Sequence, residues 1–181
     1  MSRPKPFSPS SFPASWPLLL ALALPLAAMA NEGAERVKAH LIGYQEVPAI
    51  ASTGTAAFRA KIAEDEQSFQ WELTFSGLTN VTQAHIHFGE RAVSGAVVIW
   101  LCSNLASPPT PAGVQACPTS AGMVSGTATA SDVVSVPAQG ISAGDFAKIL
   151  DAIRAGVAYA NIHTVAHPPG EIRGQIAGHD D

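Results

Sequence analysis

The feature that most constrains the fold is a strict alternation of polar and apolar residues in two neighbouring segments. The run TAAFRAKI within residues 54–63 and the run SFQWELTFS at residues 68–76 both place every second side chain on the same face. The acidic run EDEQ at residues 64–67 separates them. Alternation on both sides of a short polar turn is typical of a β-hairpin. The sequence therefore predicts antiparallel strands with one buried face.

The rest of the chain continues this pattern. Further strands are predicted at residues 37–42, 81–88, 96–101, 122–131, 156–164 and 171–177. One short helix is predicted near residues 143–155, with Ser142 as its cap, Asp145 in its first turn and Gly156 at its end. An apolar stripe at helical spacing, assigned to the core, is formed by Phe146, Ile149, Leu150 and Ile153. The predicted fold class is all-β, a mostly antiparallel, Greek-key-like β-sandwich with one helix.

The first 30 residues are predicted to be a signal peptide. Arg3 and Lys5 give a positive start, residues 17–27 form a short apolar core, and the run AMA at residues 28–30 fits the pattern that signal peptidase cuts. This apolar run is shorter than the ~20 residues of a transmembrane helix, and no later run is longer. We therefore expect an exported protein, periplasmic or secreted, with no transmembrane anchor after cleavage.

The chain after cleavage is predicted to have a flexible stretch at residues 31–36 and a single domain at residues 37–178. Because Arg3 and Lys5 leave with the signal peptide, ten Lys and Arg become eight against fourteen Asp and Glu, a formal net charge of −6. A domain of about 150 residues can bury its own core. Its acidic balance argues against a nucleic-acid partner, which requires a basic face.

The sequence has two cysteines, Cys102 and Cys117. In an oxidising compartment such a pair favours a disulfide over a pair of metal ligands. Closing a loop of ~15 residues contributes about 3 kcal/mol in the chain-entropy model. We predict a bridge that fastens a long loop and performs no redox chemistry.

Histidine is the residue type best suited to chemistry here. His85 and His87 are two positions apart on a predicted strand, so both project from one face, and His163 lies on another predicted strand. Three converging imidazoles can bind one copper or zinc ion. Glu171 and Arg173 on the last strand would then serve as outer partners that hold the ring orientation.

The same residues also have purely structural interpretations. A His-x-His pair is common on the wet face of an antiparallel strand, and Glu171 is suited to an ion pair with Arg173 or Arg91. The sequence has no nucleophile elbow, phosphate-binding loop or dinucleotide fingerprint. A hydrolase that uses Glu90 or Glu171 with a histidine is the weakest interpretation, because no nucleophile or paired carboxylates accompany it.

Several runs together resemble the CHRD domain family, named for its repeats in chordin. They are QEVP at residues 45–48, AHIHFG at residues 84–89, NIHT at residues 161–164 and PGEIRGQI at residues 169–176. The resemblance spans residues 37–177 and implies an extracellular or periplasmic β-rich module. In chordin the module belongs to a protein that binds secreted growth factors, a partner that does not transfer to a single-domain chain.

A fainter similarity is to copper/zinc superoxide dismutase. The run HIHFG at residues 85–89 is similar to the copper-binding strand of that family, and His163 would stand for a late copper ligand. No histidine lies between His87 and His163, so the bridging ligand and the zinc loop are missing. A two-metal dismutase is therefore disfavoured, while a single copper or zinc site is compatible with the sequence.

Two functions follow as expectations. The first is a non-enzymatic, exported CHRD module with a binding or structural role, whose partner is an unidentified protein or a component of the envelope or matrix. The alternative is a mononuclear copper- or zinc-binding protein that uses His85, His87 and His163. Bound metal in the purified protein distinguishes them.

Overall fold

The computed structural model describes residues 1–2, 34–107 and 109–178. The predicted signal peptide from residue 3 onward, and residues 31–33 of the predicted flexible stretch, lie outside the described residues. The chain divides into two units, Met1–Asn31 and Glu32–Asp181. Every element described below belongs to the second unit.

Within the described residues, nine strands form one antiparallel sheet. They are β1 (Arg36–Ile42), β2 (Thr55–Ile62), β3 (Ser68–Ser76), β4 (Val81–Phe88), β5 (Ala96–Ser103), β6 (Gly122–Thr129), β7 (Ala158–Thr164), β8 (Ile172–Gln175) and β9 (Ala177–Gly178). The order across the sheet is β5-β4-β7-β8-β1-β2-β3-β6, and β9 pairs with β1. Since β3 and β4 follow each other in the chain but lie far apart in this order, the connections cross over as in Greek-key folds. The predicted all-β fold class is confirmed.

The hairpin predicted from the alternation is formed by β2 and β3. Their register runs from Thr55 opposite Ser76 to Ile62 opposite Phe69. Apolar residues of both strands are buried in the core, while the other face carries an exposed pair of Arg59 and Glu72 with charged atoms 4.0 Å apart. The two strands thus have one dry and one wet face, as period-two alternation predicts.

The two ends of the sheet order, β5 and β6, come together and nearly close the sheet into a sandwich-like barrel. The side-chain amide of Gln115 spans them by donating to the carbonyls of Leu101 at 3.4 Å and Ser125 at 2.9 Å. Gln115 lies in the loop between the bonded cysteines Cys102 and Cys117. The predicted disulfide therefore fastens the loop that covers this junction.

The predicted helix is present, but it is shorter at its start. Helix α1 spans Phe146–Arg154, so Asp145 and not Ser142 is the residue before its first turn. Gly144 has a φ of +85°, which a helix does not allow, and the Asp145 carboxylate accepts from the backbone N–H of Ser142 at 2.8 Å. The predicted apolar stripe is buried in the core. At the other end Gly156, with a φ of +69°, terminates the helix as expected.

The last predicted strand is divided. Residues 172–175 form β8, Ile176 turns into the core, and pairing resumes at β9 against β1. At Gly174 a Cβ would lie 2.4 Å from the carbonyl oxygen of His40, so this crossing of β8 and β1 requires glycine. In the part of the chain that the structure describes, no helix is long and apolar enough to cross a membrane.

Candidate metal centre

The three predicted histidines lie on two paired strands near the middle of the sheet half formed by β5, β4, β7 and β8. In the antiparallel register of β4 and β7, His85 is opposite Asn161, and His163 is opposite Gln83. His163 is therefore a diagonal neighbour of His85 on the same face, and His87 follows two positions along β4. This face points away from the apolar core that contains Ile86 and Ile162.

All three side chains are buried although they are on the outer face. His85, His87 and His163 are only 2%, 7% and 6% exposed. Connecting segments cover this face: the turn at residues 89–95 carries a carbonyl that contacts His87, and the segment at residues 165–171 carries one that contacts His163. The wet-face interpretation of the His-x-His pair is therefore wrong, because water does not reach these rings.

Two backbone carbonyls determine which nitrogens are available. The Nδ1 of His87 lies 3.0 Å from the Gly95 oxygen, and the Nδ1 of His163 lies 2.8 Å from the Pro168 oxygen. A carbonyl only accepts, so each Nδ1 carries the proton and donates it. The Nε2 of each of these two rings is thereby left with its lone pair: that of His87 has no partner, and that of His163 faces the Nδ1 of His85. A carbonyl on the far nitrogen is the usual arrangement for a metal-ligating histidine.

Ring nitrogens of all three histidines lie close together. The Nδ1 of His85 lies 3.2 Å from the Nε2 of His163, and each of the three rings offers one nitrogen such that the three lie within 4.8 Å of one another. Two nitrogens that are each about 2.0–2.1 Å from one metal at a tetrahedral angle are about 3.4 Å apart. The 3.2 Å between His85 and His163 is a ring-to-ring hydrogen bond, and a bound ion would replace it with little change in this distance.

Two ring nitrogens in this cluster have no partner. Among the described side chains, the Nε2 atoms of His85 and His87 are the buried nitrogen or oxygen atoms that make no hydrogen bond. Leaving such an atom unsatisfied costs about 1–3 kcal/mol. Buried imidazole nitrogens without a partner are available as metal ligands. The residues present therefore fit a metal ion.

Electrostatics keep the cluster uncharged. Burial, followed by the proximity of His163 and His87, lowers the pKa of His85 to about 2. Burial also lowers the pKa of His87 to about 4, although its bond to Gly95 acts in the opposite direction, and burial lowers the pKa of His163. The rings are thus neutral at neutral pH. Neutral imidazole is the form that binds metals.

A stack of three planar groups extends from His87 towards β8. The Tyr159 ring lies parallel to the His87 ring, with centroids 4.7 Å apart and an angle of 6° between the planes. On the other side of Tyr159, the guanidinium carbon of Arg173 lies 3.4 Å from the ring centroid. Arg173 also donates to the carbonyls of Glu90 at 2.7 Å and Val93 at 2.9 Å, so it fastens the covering turn.

The two predicted outer partners lie close to the histidines without bonding to their rings. The Tyr159 ring separates the Arg173 guanidinium from the His87 ring. Glu171 accepts short hydrogen bonds, each 2.6 Å, from Ser52 and from Thr164, the residue after His163. In the described part of the chain, no ion pair joins Glu171 to Arg173 or to Arg91. Glu171 instead ties the segment before β2 to the end of β7.

Sequence reasoning missed two aromatic neighbours. Trp100 is opposite His85 in the β4–β5 register, and its ring stands edge-on to His85 at a centroid distance of 4.2 Å. The two-residue period of a strand puts Tyr159 on the same face as His163, but its stacking on His87 depends on the pairing of β4 with β7. Pairing between strands that are distant in the chain leaves no local pattern in the sequence.

The runs that carried the family resemblance meet at this face. Glu46, from the run QEVP, accepts a hydrogen bond from the side-chain amide of Asn161, from the run NIHT. Gly170, from the last run, lies against this pair, and a Cβ there would be 2.7 Å from the Glu46 carboxylate. With His85 and His87 beside them, residues that are distant in sequence form one buried polar layer outside the apolar core.

The comparisons with known proteins agree with this convergence. The family model of the CHRD domain matches residues 37–176, which include every run above and all three histidines. No curated protein and no solved structure matches the chain. The match covers most of the sequence, and we conclude that this chain belongs to the CHRD domain family.

Proposed function

We propose that this CHRD protein is an exported, non-enzymatic binding module whose ligand is one copper or zinc ion held by His85, His87 and His163. The observation that carries the proposal is the pair of buried, unpartnered Nε2 atoms within a cluster of three converging imidazoles. A cluster that served only to hold strands together would pair these nitrogens with carbonyls or hydroxyls.

A binding role fits the surroundings of the centre better than catalysis does. The covering turn at residues 89–95 is held by Arg173, and the ligand nitrogens are closed to solvent. A catalytic metal requires an open position at which substrate or water enters. The same closure suits a module that holds its ion. A protein, envelope or matrix partner for this module stays a prediction.

Export is supported by two features. The sequence of residues 1–30 has the pattern of a signal peptide. The disulfide between Cys102 and Cys117 is the kind of bond that persists in an oxidising compartment. Both are consistent with a periplasmic or secreted module. Sequencing the N-terminus of the protein recovered from outside the cytoplasm tests this part, and a start at Asn31 is expected.

The metal proposal is tested on the full protein purified from its native compartment. Elemental analysis is expected to find about one equivalent of copper or zinc. His85→Ala and His87→Ala should each lose it, while His40→Ala, an exposed histidine on β1, should retain it. Circular dichroism of each variant confirms that it is folded. Absence of metal in the wild-type protein, together with no uptake of copper or zinc on titration, would sink the proposal.

A further inference from the structure

We infer that the centre selects a monovalent ion, Cu(I), over the divalent ions Zn²⁺ and Cu²⁺. The inference deepens the proposed function and rests on it. Three properties of the described residues lead to it: the number of ligands, their charge, and the fixed cation beside them.

The first property is the number of ligands. Among the described residues, the cluster that can hold an ion consists of His85, His87 and His163, with no carboxylate or thiolate as a fourth member. Zn²⁺ takes four ligands in structural sites and completes a three-histidine set with water, and Cu²⁺ prefers four or more. The unpartnered nitrogens here are closed to solvent, which disfavours an added water. Cu(I) is satisfied by three nitrogen ligands.

The second property is charge. Three neutral imidazoles contribute no negative charge, so the full charge of the ion stays in a buried environment. The cost of burying an ion rises with the square of its charge, so a divalent ion is penalised about four times as much as a monovalent one of the same size. Sites for divalent ions commonly offset this cost with carboxylate or thiolate ligands. The present ligand set offers no such compensation.

The third property is a fixed positive charge. Arg173 is 3% exposed and lies one aromatic ring away from His87. No ion pair within 4.0 Å neutralises it in the part of the chain that the structure describes. The repulsion from Arg173 acts twice as strongly on a divalent ion as on a monovalent one.

The experiment compares affinities on the full protein. Cu(I), kept reduced with ascorbate under nitrogen, competes against a chromophoric Cu(I) chelator, and Zn²⁺ and Cu²⁺ each compete against a chromophoric chelator of their own. We expect Cu(I) to bind about 100-fold or more tightly than Zn²⁺, a difference of about 2.7 kcal/mol. His85→Ala should remove Cu(I) binding.

Variants at Arg173 separate charge from packing. Arg173→Met removes the charge and should raise the affinity for Zn²⁺ by about tenfold relative to that for Cu(I). Arg173→Lys keeps the charge and should leave the ratio near that of the wild type. Arg59→Met, on the exposed face of β2, is the matched control and should change nothing.

The outcomes distinguish the two proposals. Zn²⁺ or Cu²⁺ that binds as tightly as Cu(I), through the same histidines, would overturn the preference for a monovalent ion but leave metal binding intact. Failure of all three ions to bind would overturn metal binding itself. The wild-type comparison stands on its own even where an Arg173 variant does not fold.

Discussion

The outer faces of the two halves of the sheet differ sharply although both halves follow the same alternation. On β2, β3 and β6 the outward side chains are wet, as at Arg59 and Glu72. On β7 all seven residues are buried, so both of its faces are covered. One half is thus an ordinary antiparallel surface. The other carries a second interior, made of polar residues, outside the apolar core.

The difference identifies the part of the fold that packing alone does not explain. Covering a face with loops costs conformational entropy, and filling it with histidine, asparagine and arginine adds the cost of removing polar groups from water. The wet half shows that neither cost is needed to complete the sheet. The buried polar layer is therefore the region of the molecule that calls for a functional explanation.

Acid should produce the largest contrast between the halves. In the unfolded metal-free chain the histidines titrate near pH 6.5, whereas in the folded chain burial lowers the pKa of His87 to about 4 and that of His85 to about 2. Between these values the unfolded chain binds more protons, so stability that is fully present above about pH 6.5 is lost as the pH falls. For His87 alone the loss is about 3 kcal/mol.

Urea unfolding of the metal-free protein across this pH window measures the effect. The slope should reach about 1.4 kcal/mol per pH unit for each buried histidine. His40→Gln, at an exposed position, should leave the slope unchanged. A flat profile would show that the three rings are not held neutral in the folded protein.

Removing one arginine from each half of the sheet should give the next largest difference in the free energy of unfolding. Arg173→Ala deletes two charge-assisted hydrogen bonds to Glu90 and Val93 and leaves both carbonyls without this donor, for a loss of about 3 kcal/mol in the free energy of unfolding. Arg59→Ala removes an exposed ion pair and should change stability by less than about 0.5 kcal/mol. Chemical denaturation measures both. Equal losses would contradict the contrast between the halves.

A threonine-to-valine substitution made once in each half of the sheet tests the comparison with almost no change in side-chain shape. Thr164 is fully buried, and its hydroxyl donates to Glu171 at 2.6 Å, so Thr164→Val should cost about 2 kcal/mol. Thr127 is exposed on β6, and Thr127→Val should be close to neutral. A thermal melt of each variant is sufficient. A neutral Thr164→Val would show that the Glu171 contact contributes little.

The smallest expected effect is a change in tryptophan fluorescence. Trp100 stands 4.2 Å from His85, so copper in the centre should quench the fluorescence of this indole. Trp100→Phe should abolish most of the quenching, whereas Trp71→Phe, on the core side of β3, should preserve it. Quenching that survives Trp100→Phe and disappears with Trp71→Phe would locate the copper elsewhere.

Local pattern accounts for much of the fold. The strict alternation predicted β2 and β3 as a hairpin, and the common face of His85 and His87 follows directly from the two-residue period of a strand. The helix stripe was also predicted, but its start was not, because Gly144 and the Asp145 carboxylate form a turn that competes with the Ser142 cap.

The candidate site depended on information that local pattern does not contain. His163 joins His85 only because β7 pairs with β4, although residues 89–157 separate the two strands in the chain. The burial of this face depends on the turn at residues 89–95 and on Arg173, which holds the turn from β8. Alternation specifies which side chains share a face, but not which face other segments will cover.

The hydrogen bonds that hold the turn at residues 89–95 also affect how fast a bound ion could exchange. An ion held as proposed beneath the turn would be released only after the Gly95 contact to His87 and the Arg173 bonds to the turn had opened together. Exchange is then limited by the frequency of this local opening and not by diffusion of the ion. We therefore expect this centre to be distinguished by a long residence time, so that ions are kept through passing contact with competing chelators.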